Sequence, residues 1–102
     1  MLILASTSDL VRVVTGSAAQ IEVHASYVDW NGTAVTPART NTPAITTATT
    51  TTVVPSPGAS VQRNVKHLNI TNDHASASCT VTVEHFDGTT AVELMAFTLL
   101  PG

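Results

Sequence analysis

Charge is scarce in this chain. Asp, Glu, Lys and Arg make up 11% of its 102 residues, against ~25% in an ordinary soluble domain. A surface so poor in charge does little to suppress association, so much of the exterior is expected to be covered by other subunits. The four basic residues, Arg12, Arg39, Arg63 and Lys66, are scattered. Nucleic-acid binding leaves a clustered basic footprint, and none is present. Aromatics are only 4%, so the core must be built from Val, Ile, Leu and Ala, each burying less area than a ring. A single cysteine, Cys79, excludes an internal disulfide and a Cys-rich zinc site. Its place at the head of an apolar strand pattern reads as a small buried thiol. No stretch approaches the ~20 apolar residues of a membrane-spanning helix. The opening Met1-Leu2-Ile3-Leu4-Ala5 turns polar at once and carries no basic flank, so a secretory leader is not expected.

What is present is β-forming. The length corresponds to one domain, residues 1–102, able to bury roughly two-thirds of its unfolded surface. Residues 10–14 predict a short strand, closed by Thr15-Gly16-Ser17. Over 20–28, Ile21, Val23, Ala25 and Tyr27 alternate with Glu22, His24 and Ser26, the period-2 pattern of a half-buried strand. It runs into Asn31-Gly32, a strong hairpin signal because both residues tolerate positive φ. The return strand starts near residue 33, and Pro37 restricts it to peripheral pairing. Residues 38–52 are Thr-rich: either a linker, or extended chain that leads into a strand at about 49–54. Residues 38–48 could form an arm that orders only on assembly. Pro55-Ser56-Pro57-Gly58 then breaks pairing.

In the C-terminal half, residues 61–72 and 79–86 flank a polar loop and read as a hairpin. Leu68 would lie opposite Val83 and Ile70 opposite Val81 on an apolar face, with His67 opposite Glu84 on the polar one. A second hairpin turns at Asp87-Gly88 into residues 91–100. There Val92, Leu94 and Ala96 continue the inward face, while Met95, Phe97 and Leu99 line the other. A strand apolar on both sides needs two covering layers, so Met95, Phe97 and Leu99 are expected at an intersubunit surface. The chain closes on the turn signal Leu100-Pro101-Gly102, which raises the expectation of a missing C-terminal strand. The fold class expected is all-β, a small antiparallel β-sandwich or partly open barrel.

No catalytic motif is found: no nucleophile elbow, no phosphate loop, no zinc-protease helix. No cofactor or metal is implied, since His67 and His85 fall on opposite faces of the expected hairpin. Tyr27 and Trp30 flank the Asn31-Gly32 turn. They could stack on a sugar, as in a carbohydrate-binding module, or pack on the core or a neighbouring subunit.

From Thr40 onward the chain resembles small structural proteins of tailed bacteriophages. The likeness is carried by Arg39-Thr40-Asn41, the Thr-rich run into Val53-Val54, Pro55-Ser56-Pro57-Gly58-Ala59, and Val61-Gln62-Arg63-Asn64-Val65-Lys66. It continues through Leu68-Asn69-Ile70-Thr71-Asn72, Val81-Thr82-Val83, Phe86-Asp87-Gly88-Thr89 and Val92-Glu93-Leu94. The opening Ser8-Asp9-Leu10 and Val13-Val14-Thr15-Gly16 are also similar. Such proteins usually carry a further Gly-rich, aromatic strand after the Pro-Gly turn, which this chain lacks. The resemblance implies a virion component. A capsid decoration or cement protein is the first expectation, and a neck, tail-tip or fibre subunit the second. Its partners would be phage capsid or tail proteins and copies of itself, with neither nucleic acid nor membrane involved.

Overall fold

The computed structural model describes residues 2–102. It contains eight strands: β1 (Leu2–Leu4), β2 (Leu10–Thr15), β3 (Ile21–Trp30), β4 (Val35–Ile45), β5 (Thr50–Val54), β6 (Gln62–Asn72), β7 (Cys79–Phe86) and β8 (Ala91–Leu99). They form two four-stranded antiparallel sheets, ordered β1-β6-β3-β4 and β5-β2-β7-β8, packed face to face as a β-sandwich.

Period-2 alternation builds the core. Val11 and Val13 of β2, Ile21, Val23, Ala25 and Tyr27 of β3, and Cys79, Val81 and Val83 of β7 all point inward and are buried. Leu4, Ile45, Val53, Val54 and Val65 complete the cluster. Valine dominates, as a composition poor in aromatics requires.

The expected hairpin between 61–72 and 79–86 does not form. β6 lies between β1 and β3, and β7 lies between β2 and β8 in the opposite sheet. Leu68 pairs with Ala25 and Ile70 with Val23, while Val83 pairs with Val13. The apolar faces are the ones expected, but they meet across the core instead of side by side. Alternation specifies which face is buried; it does not specify which strand is the neighbour. Likewise His67 lies opposite Ser26, and Glu84 lies opposite Arg12.

The loop between β6 and β7 is an arch between sheets, held by the buried Asn72. Asn72 Nδ2 donates to the carbonyls of Ala77 (2.7 Å) and Leu99 (3.2 Å), and Asn72 Oδ1 accepts from the His74 N–H. His74 Nδ1 in turn accepts from the N–H groups of Ser76 and Ala77.

The Thr-rich stretch is divided between two strands. Residues up to Ile45 belong to β4, paired along β3, so most of the supposed arm is ordered in the lone chain. Thr15, buried at the end of β2, fastens the link from β4 to β5: its hydroxyl donates to the Thr47 carbonyl (2.7 Å) and accepts from the Thr49 N–H (3.1 Å).

Both hairpins use the same device. Asn31 Oδ1 accepts from the N–H groups of Thr33 and Ala34, and Asp87 Oδ1 accepts from those of Thr89 and Thr90. Gly32 (φ 93°) and Gly88 (φ 95°) supply the left-handed residue each turn needs.

Candidate functional site

A sandwich exposes four strand edges, and an unprotected edge is a template for another chain. β4 carries Pro37 and Pro43, and Pro43 sits where the β3–β4 register shifts; neither can donate to an added strand. β5 has only five residues and runs into Pro55. β1 has three, and the carbonyl of Ile3 already takes a hydrogen bond from His85 Nε2 (3.3 Å), which reaches across from the other sheet.

β8 has none of these protections. Its nine residues, Ala91–Leu99, contain no Pro, Lys or Arg and one charge, Glu93. Its register on β7 shifts between Val83 and Glu84, leaving one extra residue on β8 near Glu93 and Leu94. This bulge inverts the phase expected from the sequence. Met95, Phe97 and Leu99 stand opposite Val83, Val81 and Cys79, so they belong to the core-facing side. Phe97, Leu99 and Leu94 pack partly against the core. Met95 remains 51% exposed, and Val92, also on the core-facing side opposite the inward-reaching His85, is 54% exposed.

For Met95 the cause lies in the opposite sheet. β1 pairs with β6 only over Arg63, Asn64 and Val65. Beyond Val65, no strand among the described residues continues the sheet on that side of β6. Leu68 and Ile70 of β6 are accordingly only partly buried. The sandwich therefore has an open apolar seam along one side, between β6 and β8.

A second exposed surface lies at the hairpin end. Trp30 is 42% exposed, and its cross-strand neighbours are Val35, which is 61% exposed, and Gln62. One row inward, Val28 lies between Pro37 and Asn64, and Ile3, beyond Asn64, is also exposed. Beside Trp30 is a shallow cleft of about 280 Å³, formed with Ala5, Asn31, Gly32, Ser60, Val61 and Gln62. Ser60 adopts a left-handed φ of 61° in the turn that closes it.

Tyr27 is not a partner of Trp30 in this surface. It is 5% exposed, shares a hydrogen bond with Thr40 Oγ1 (2.7 Å), and lies under the Arg63 guanidinium, 4.3 Å from the ring centre. Successive residues of a strand point to opposite faces, so Tyr27 and Trp30, three apart, cannot share one.

A larger, polar saucer of about 420 Å³ lies on the outer face around Glu22, His24, Asn41, Asn69 and Thr71. His24 Nδ1 is bonded to Asn41 Oδ1. Among the described residues, no three His, Cys, Asp or Glu side chains converge as a metal site would require. Cys79 is buried, its thiol directed at the carbonyls of Ser17 and Thr80.

Sequence reasoning selected Met95, Phe97, Leu99 and Trp30, which border the two open surfaces, but set the first three on the wrong face of β8 and missed Ile3, Val35 and the solvent exposure of Val92. Comparison with known proteins adds no assignment: no family model, curated protein or solved structure matches the chain.

Proposed function

We propose that this chain is a non-enzymatic structural module of a tailed-phage virion, a capsid decoration protein that stabilises the shell through contacts between β-structures. The observation that carries the reading is the open side of β8. Val92 and Met95 face the core yet stay more than half exposed, on an edge strand that carries no Pro, Lys or Arg. An edge of this kind suits a protein that works inside an assembly. Low overall charge and the residue-level resemblance to tailed-phage structural proteins point the same way. The Trp30 end supplies a separate apolar patch for a shell protein. A ligand that binds only the intact shell raises its stability by mass action.

Labelling of phage particles with an antibody against the chain tests the reading. Regularly repeated label on the head supports the decoration role; label on the neck or tail moves the same chemistry to a neck, tail-tip or fibre subunit. Absence from particles removes the proposal. The exposed Trp30 beside its cleft favours one other reading, a carbohydrate-binding module. In that case Trp30→Ala abolishes glycan binding at unchanged thermal stability, and the chain is absent from particles.

A further inference from the structure

We propose that β8 pairs antiparallel with β8 of a second copy, with Phe97 facing Phe97 of its mate, so that two sheets fuse into one of eight strands. The inference deepens the reading of β8 as an assembly edge and names its occupant.

The strand's own sequence selects the partner and the register. Regular β structure on the free side of β8 is limited by the bulge near Glu93 and Leu94 and by Pro101, which has no N–H to donate. Between these limits lies Met95-Ala96-Phe97-Thr98-Leu99. Turned about Phe97, the segment complements itself. Met95 lies opposite Leu99 of the mate on the core-facing side, and Ala96 lies opposite Thr98 on the outer side. Large apolar residues meet large apolar residues, and small meet small. A shift by one residue would set inward side chains against outward ones. A shift by two in either direction would bring the bulge or Pro101 into the paired region.

Charge agrees with this arrangement. Glu93 is the one ionised group on the strand, and the two-fold axis sends the two copies of Glu93 to opposite ends. Like charges directly opposite one another would disfavour pairing. With the axis perpendicular to the sheet, both core-facing sides stay on the same side of the fused sheet. The exposed Met95 of each copy is then shielded by its mate. Closed two-fold pairing also consumes both edges, so the assembly stops at a dimer and does not grow into a fibre.

Sedimentation of the intact chain, with cysteine cross-linking, tests the pairing. The wild type is expected to be dimeric at micromolar concentration. Met95→Lys places a charge opposite Leu99 of the mate and should give a folded monomer, because position 95 is half exposed within one chain. Ala96→Cys and Thr98→Cys proteins, mixed and oxidised, should yield a disulfide-linked dimer. Either one alone should cross-link poorly, since its two thiols are displaced along the strands beyond the ~7 Å Cα separation that a disulfide tolerates. A monomeric wild type overturns the proposal, as does a dimer that survives Met95→Lys without linking the mixed pair. A monomer that still decorates particles overturns the pairing alone; a cross-linked dimer that is absent from particles overturns the virion reading alone.

Discussion

Arg63 and Asp29 face each other across β6 and β3 and close the hairpin end of the core. Arg63 Nε donates to Asp29 Oδ1 (2.9 Å) and Nη2 to Oδ2 (3.1 Å). Nη1 reaches the Pro55 carbonyl in the segment after β5 (2.7 Å), and the guanidinium covers the Tyr27 ring. The hydrogen bond to Asp29 is the main reason the Arg63 pKa lies above its ordinary value. One planar group thus ties the two sheets together where the apolar core ends.

Asp29→Ala leaves that guanidinium part-buried with its carboxylate gone, and should cost about 2 kcal/mol. Arg63→Lys should recover only part of an Arg63→Ala loss, since an ammonium cannot match both carboxylate oxygens or stack on Tyr27. Arg12 and Glu84 form the corresponding pair on the outer face of the other sheet, through a single hydrogen bond of 2.8 Å, with Arg12 over Phe86. Their loss should cost less, about 1 kcal/mol or below. Urea unfolding of the Asp29→Ala, Arg63→Ala, Arg63→Lys, Arg12→Ala and Glu84→Ala proteins checks the order; equal losses for the two pairs would contradict it.

Asn72 also ties the two sheets together. Asn72→Ala deletes bonds to Ala77, Leu99 and His74 at a buried position, and should destabilise by about 2–3 kcal/mol. Because Leu99 ends β8, faster amide exchange at residues 97–99 should accompany the loss. Unchanged exchange there would mean that the arch does not hold the strand.

The two hairpin glycines should respond unequally to alanine. Both sit at positive φ, which costs an alanine about 1 kcal/mol. A Cβ at Gly32 meets nothing within 4 Å, whereas at Gly88 it comes within 2.9 Å of Ser8 Cβ. Gly88→Ala should therefore lower the melting temperature more than Gly32→Ala. The reverse order would contradict the packing of the β7–β8 turn on the loop between β1 and β2.

Asp87 gives that turn a pH dependence that Asn31 cannot give the other. The N–H groups of Thr90 and Thr89 stabilise its ionised form and hold its pKa below the usual carboxylate value. A carboxylate with a lowered folded-state pKa contributes stability above its unfolded value, near ~4, and that contribution is lost as pH falls through the folded pKa. Amide resonances of Thr89 and Thr90 should shift together on acidification below pH ~4, and Thr33 and Ala34 should not move with them. Asp87→Asn should keep the turn and remove the shift. NMR titration reads both.

These details arise from features that differ in how visible they are along the chain. Residues 21–27 and 79–83 alternate so regularly that their inward faces, and the all-β class, are legible from sequence. The turns at Asn31-Gly32 and Asp87-Gly88 are legible for the same local reason. The neighbour of β6 is not, because Leu68 and Ile70 complement Val83 and Val81 equally well across a hairpin or across a core. The short β1 is hidden in three apolar residues, too few to show a period. At β8, one extra residue near Glu93 and Leu94 reverses the face expected for Met95, Phe97 and Leu99. No residue type marks such a bulge, since the partner strand creates it. The exposure of Met95 depends on β1 ending early in the other sheet, a fact of tertiary structure alone.

Hydrogen exchange on the chain at low and high concentration measures most directly whether β8 is an assembly edge. Amides of residues 95–99 that point away from β7 should exchange freely when the protein is dilute and become protected as it associates, while those of the proline-bearing β4 edge stay unchanged. Protection that is independent of concentration on β8, or gained at β4 instead, would contradict the account.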